Sequence, residues 1–403
     1  MVKSLILLGG LALLSVPAVW AAAPPKAGPP FPLSSCTDCL EREPAVAVAP
    51  NGDFFAAWQG KKGFGQEGVP GRAFHANAAP LAAEFSLVGS TGAEALDVDL
   101  AASRNDVVAV WSEGGRIFAQ RLGFAGDRLG DRIQVSLDDA QNPNVRHVNP
   151  AVARAADGSF VVAWVRFSVG GSNDVPRILA RRFNATGVPR TGAVRVSTGL
   201  ANDSRPDLCV DTSGRSIVVW TNVDDFRPFL SNKKGVSSRR LGVNLGPLEG
   251  ERIVAPPDND ESSAAISCGR GNTYVIAWQS EQSREGDRSE ILAKRYTRLG
   301  RPVGGTLVVN QSVEGVQKQP AIAHEPSGAF TVAWASNGFD DRGLVARRFS
   351  APGAPLSNDF QIASEVDTSL ARPSLAYAAD GRAVVVWQDG TSGVFGQRFS
   401  PAQ

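Results

Sequence analysis

Seven tryptophans at near-constant spacing, one turn residue repeated ahead of each, and apolar runs of strand length without helical periodicity predict an all-β ring. The expected architecture is a seven-bladed β-propeller with four antiparallel strands per blade, closed by the N-terminal strand 30–35 completing the last blade. The tryptophans are Trp58, Trp111, Trp164, Trp220, Trp278, Trp334 and Trp387, at spacings of 53, 53, 56, 58, 56 and 53. Six residues before each stands Gly52, Asn105, Gly158, Gly214, Asn272, Gly328 or Gly381. Glycine and asparagine tolerate positive φ, so one turn is used seven times. Fourteen residues before the Trp stands Pro44, Pro150, Pro206, Pro320 or Pro373, with Asp97 and Ala264 in the other two repeats.

The third repeat shows the strands in order. Residues 150–153 (PAVA) are a short extended run led by proline, and Asp157-Gly158 is a hairpin turn. Residues 160–164 (FVVAW) are apolar throughout, as in a strand buried on both faces. Residues 178–183 (ILARRF) form the third strand, and 193–197 (AVRVS) alternate as the fourth after a turn at Thr186-Gly187. The repeats span about 44–88, 96–136, 149–197, 205–254, 263–309, 319–363 and 372–399. The last has only three strands, and residues 30–35, ahead of the first repeat, match the start of the fourth strand at Phe360. Their docking removes the open ends of the sheet array.

Residues 1–21 read as a secretory signal: Lys3, an apolar run to Val19, then small residues before a cleavage point after Ala21. The run is shorter than the roughly 20 residues of a membrane span. A Pro/Ala-rich linker, 22–29, follows, and 30–403 is one domain. The expected location is periplasmic or extracellular. Lys and Arg total 41 against 40 Asp and Glu, so no general positive field favours nucleic acid. No cofactor motif is present, and a monomer is expected.

Export permits disulfides among Cys36, Cys39, Cys209 and Cys268. Cys36 and Cys39 have a redox-motif spacing without a βαβ context, and the 59 residues between Cys209 and Cys268 do not suit a zinc ribbon. The ring places Cys36 and Cys39 in the linker between blades seven and one, across from Cys209 and Cys268 in the first strands of blades four and five. Cross pairing would exceed about 7 Å between Cα atoms, so the pairs are Cys36–Cys39 and Cys209–Cys268.

The unit P-x-[VI]-A…[DN]-G-x-[FV]-V-V-x-W…[IL]-x-A-x-R-F…G-x-P…F-x-[VI] resembles a repeat of secreted bacterial proteins, including large surface and adhesin-type chains. The resemblance covers nearly all of the mature chain and implies a propeller but no common reaction. The sialidase Asp-box, with Gly three residues before Trp, is absent; here Gly stands six before.

A propeller brings second-to-third loops and blade linkers to one face, and these vary most here, as in 222–235, 280–289, 137–148 and 256–262. Variation on one face of a regular scaffold marks the expected binding face. The start of each innermost strand, fifteen before the Trp, gives Glu43, Leu96, Asn149, Arg205, Ser263, Gln319 and Arg372, six of them polar. They are expected to ring the channel mouth, with Arg205 and Arg372 suited to a carboxylate or sulfate on a carbohydrate or protein ligand. Asp224, Asp225, Asp340 and Asp341 could hold a cation, although solvated carboxylates are the plainer reading. The third-strand arginines 121, 182, 240, 295, 348 and 398 recur per blade and read as scaffold, as do the seven tryptophans. His75, His147 and His324 fall in different blades, with no G-x-S-x-G elbow, so a Ser-His-Asp triad is not expected. The leading expectation is a ligand-binding or interaction module. The alternatives are a glycoside hydrolase or lyase using paired carboxylates at the mouth, and a structural envelope component.

Overall fold

The computed structural model describes residues 23–402 except 37–38, 63–67, 89–93, 138–143, 170–174, 200–201, 224–233, 258, 271–272, 282–287, 339–340, 365 and 391–392. Among the described residues, twenty-eight strands form seven four-stranded antiparallel sheets, the expected blades. Each blade is a meander from an inner strand outward, and successive inner strands pack side by side around a channel. The second strand is buried along its whole length in several blades, as in Val107–Glu113, Phe330–Ser336 and Ala383–Gln388. Both of its faces meet a neighbouring blade, which is why its sequence does not alternate.

The apolar core is divided into seven clusters, one per blade interface, each containing one tryptophan. A recurring acceptor seventeen residues upstream receives the indole N–H in several blades. Glu41 serves Trp58 at 3.2 Å, His147 Nδ1 serves Trp164 at 2.9 Å, Asp203 serves Trp220 at 2.9 Å and Gln317 serves Trp334 at 2.8 Å. Blade two uses Glu113 instead, at 3.0 Å. A buried indole N–H usually finds such a partner, so these polar residues belong to the core, while the buried indoles of Trp278 and Trp387 go without one among the described residues. Burial pushes the Asp203 carboxyl up to about 7, and the Ser197 hydrogen bond opposes the shift.

The arginines tie blades together. Arg181, Arg239 and Arg347 donate back to Val135, Val196 and Val309 carbonyls of the preceding blade at 2.8–2.9 Å. Arg182, Arg240, Arg295 and Arg398 donate forward to Gly214, Leu299, Ala351 and Ala76 carbonyls of the next blade at 2.6–3.0 Å. Arg121 and Arg348 instead pair with Asp106 and Glu325 within their own blades.

The first-to-second turn is the same in most blades, with Gly52, Gly158, Gly214, Gly328 and Gly381 at φ between 76° and 91°. Blade two departs from the expectation. Its turn closes from Ser103 N–H to the Asp106 carbonyl, one residue tighter than Ala49 to Asp53 in blade one, and Asn105 does not take positive φ. Asn272 lies outside the described residues.

Closure is as expected. Phe31 and Pro32 pair with Gly396 and Phe395, and Leu33 N–H donates to the Val394 carbonyl at 3.0 Å. Pairing also reaches upstream, with Ala27 N–H on the Arg398 carbonyl at 2.9 Å. Leu33 is fully buried, and the Phe31 ring lies 5.9 and 6.0 Å from Phe54 and Phe74 of blade one. The disulfides are Cys36–Cys39 and Cys209–Cys268, with Cα separations of 5.7 and 5.6 Å. The second joins the inner strands of blades four and five.

Candidate binding site in the central channel

In blades one to six the inner strand carries a bulge opposite its tryptophan. Residues 43–44, 97–98, 149–150, 205–206, 263–264 and 319–320 each oppose one residue, Trp58, Trp111, Trp164, Trp220, Trp278 or Trp334. The prolines therefore do not lead the strands, which begin earlier, as at Cys39 and Val145. A bulge leaves a residue outside the ladder, so a proline there forfeits no hydrogen bond. The first bulge residue is left-handed in all six blades: Glu43, Asp97, Asn149, Arg205, Ser263 and Gln319 have φ of 47–57°. That conformation costs an ordinary L-residue roughly 1–2 kcal/mol, and of these six only the asparagine and the aspartate take it with less strain. Arg372 of blade seven does not share it, and its inner strand starts beyond the proline, at Ser374.

These bulges border a cavity of about 430 Å³ at the end of the channel away from the first-to-second turns. The predicted ring is present with one correction. The tight turn of blade two shifts its register, so Leu96 pairs in the ladder with Ser112 and Asp97 takes the ring position. All seven ring residues are then polar. Glu43 and Arg372 form an ion pair. Asp97 Oδ2 accepts from Ser112 Oγ and from Asn149 N–H, both at 3.2 Å. Arg205 is exposed and has no hydrogen-bond partner among the described residues, and Gln319 Oε1 is buried and unpartnered. Burial lowers the Arg372 pKa; Glu43 opposes the shift and Arg205, close enough to be felt, adds to it.

Two further carboxylates line the same cavity and were not anticipated. Two residues after the ring position stand Ala45, Asp99, Ala151, Asp207, Ala265, Ala321 and Ser374. Aligning this column shows the two acids, provided the one-residue shift of blade two is known. Asp99 accepts from Leu100 N–H and from Val152 N–H of blade three, both at 2.8 Å. Asp207 accepts from Leu208 N–H at 2.7 Å and from Ile266 N–H of blade five at 2.8 Å. Each clamps two blades. Withdrawal from water pushes Asp99 up to about 6 and Asp207 to about 7, the backbone donors opposing and the Asp99 charge adding to the shift of Asp207.

At the turn end a second cavity of about 270 Å³ is lined by Arg104, Arg270, His324 and Glu325 among others. Burial pulls His324 down to about 4, and its Nδ1 lies 3.0 Å from Ser267 Oγ. His147 is a tryptophan acceptor and His75 lies beside Asp53, so the three histidines serve three separate places. Of the acidic loop residues, Asp341 accepts from Ser336 Oγ at 2.7 Å, while Asp224, Asp225 and Asp340 lie outside the described residues. So do the centres of the long second-to-third loops.

No protein-family model matches the chain, and comparison with curated proteins finds no match. Solved structures do resemble it. A protein of unknown function from Dyadobacter fermentans DSM 18053 superposes with a TM-score of 0.56 at 12% identity, covering 92% of this chain and 98% of that one. The Hadza microbial sialidase Hz136 gives 0.53 at 9%, covering 85% and 73%. An alpha-L-arabinanase of Penicillium chrysogenum gives 0.51 at 12%, covering 93% and 99%. At such identities the likeness establishes the propeller class alone.

Proposed function

We propose that this chain is an exported ligand-binding propeller whose wide channel end recognises a polar ligand carrying an acidic group. The observation behind this reading is the ring of seven polar side chains, six of them on left-handed bulges. The side chain at this strained position changes from blade to blade while the tryptophan positions stay constant, and that variation at the channel is a reason to look for function there. Arg205 supplies an unpaired guanidinium for a carboxylate or sulfate. Asn149, Ser263 and Gln319 supply amide and hydroxyl groups for the ligand's own hydroxyls or amides. The signal-like N-terminus and the two disulfides support an oxidising, exported setting. A hydrolase reading gains less: Asp99 and Asp207 spend both oxygens on backbone N–H groups, Glu43 is ion-paired, and no aromatic side chain is among the described residues lining the cavity.

The test is a screen of acidic and neutral oligosaccharides and peptides against residues 22–403. Arg205→Ala should weaken the ligand found by roughly tenfold or more, because a hydrogen bond to a charged group contributes about 1.5–3 kcal/mol. Arg372→Ala should also weaken it, by freeing Glu43 at the ring. Unchanged binding by both variants removes the site.

A further inference from the structure

We propose that Asp99 and Asp207 are the specificity-determining residues of the channel, making the capture of an acidic ligand depend on proton uptake by the protein. The inference rests on the binding reading above and concerns how that site is tuned. The geometry is that of one cavity. Asp99 and Asp207 stand two residues beyond Asp97 and Arg205 on the same strands, where four other blades place alanine and blade seven places Ser374. Alanine at that position shows that the inner strands need no carboxylate to form. Ser374 Oγ accepts from Val46 N–H of blade one at 3.3 Å, so a hydroxyl can make the same link between blades. The acids in blades two and four therefore add charge to the channel beyond what the scaffold requires.

The charged groups sharing the cavity are Glu43, Asp97, Asp99, Asp207, Arg205 and Arg372. With all of them ionised, four negative charges face two positive ones, and an anion approaching Arg205 meets net repulsion. Neutralising Asp99 and Asp207 leaves two against two. Each carboxyl bridges blades through backbone N–H groups, so neither can swing away from an incoming anion without giving up those bonds. Protonation is the remaining response. Withdrawal from water holds both carboxyls above the usual carboxylate range, Asp99 at about 6 and Asp207 at about 7. A bound anion favours the protonated forms, and by linkage the protonated forms bind the anion more tightly. Affinity for an acidic ligand then rises as pH falls from 8 towards 5.5. A neutral ligand lacks this dependence.

Inorganic sulfate is a suitable probe, since its own charge is constant over that range. Its dissociation constant is measured by calorimetry at pH 5.5 and 8.0 for residues 22–403, for the Asp99→Ser/Asp207→Ser double variant and for Arg205→Ala. Asp203, on the same strand but buried against Trp220, is kept in all three and controls for titration elsewhere. Serine follows the example of Ser374, and a thermal melt confirms that the double variant is folded. The expected result is binding about tenfold tighter at pH 5.5 than at 8.0 in the parent. The double variant should bind at both pH values as tightly as the parent does at 5.5, and Arg205→Ala should bind weakly at both. Sulfate binding that ignores pH in the parent, or a pH dependence that survives in the double variant, overturns the proton coupling and leaves the binding site standing. No sulfate binding by any of the proteins overturns the anion site and the coupling together.

Discussion

Blade three and blade seven are built from one repeat yet are held together differently. Blade three is continuous in sequence, with a ten-residue inner strand, a bulge at Asn149-Pro150 and an indole N–H capped by His147. Blade seven has a four-residue inner strand, no bulge, an uncapped Trp387 indole, and an outer strand brought from the other end of the chain. Both keep the buried tryptophan and the apolar second strand. The difference separates what a blade needs from what it carries: the apolar interface is required everywhere, whereas bulge and cap are additions that blade seven does without.

Removing the clasp should break the comparison most severely. A chain beginning at Cys36 loses the buried Leu33 and the Phe31 ring packed on blade one, each contributing about 1.5–3 kcal/mol. A loss of that size should lower Tm by roughly 4–8 °C in calorimetry. An unchanged melt would mean that the ring does not depend on the clasp. Next come the tryptophans. Trp164→Ala and Trp387→Ala should each cost about 3–5 kcal/mol in urea unfolding. Trp164→Ala should cost about 1 kcal/mol more, because His147 loses its donor. Equal losses would show that the cap carries no weight. The smallest effect compares the ring position itself. Gln319→Gly releases a left-handed residue and should stabilise by up to about 1 kcal/mol. Arg372→Gly, at a residue without positive φ and with an ion pair to lose, should destabilise by about 1 kcal/mol. The same sign for both would contradict the backbone difference between the blades.

The scaffold was legible because it is written seven times. One tryptophan proves little, but seven in register specify blade number, strand order and the closing strand. The site was legible only in part. Glu43, Asn149, Arg205, Ser263, Gln319 and Arg372 do share one cavity, yet they lie inside their strands or ahead of them rather than at strand starts, and the bulge that turns six ring residues left-handed has no signature in side-chain type. Leu96 leaves the ring to Asp97 because a turn in blade two is one residue shorter, and a single residue changes which side chain faces the channel. Asp99 and Asp207 stand two residues beyond the ring position, in a column that four blades fill with alanine, and the same shift takes Asp99 out of step with Asp207. The tryptophan acceptors at Glu41, His147, Asp203 and Gln317 recur at a constant seventeen-residue offset, a periodic signal that the sequence does carry.

The all-β class, the seven blades, the closure and both disulfides can be read from the residues alone. Each of these follows from local period or from the order of elements around a ring. Which polar groups face the channel, and in what electrostatic company, is settled by the packing of the blades. That depends on ladder register between strands and on hydrogen bonds from Asp99 and Asp207 to the next blade, more than fifty residues away. Local propensity carries no record of such distant neighbours, and a carboxyl's charge state is set by the water its neighbours exclude.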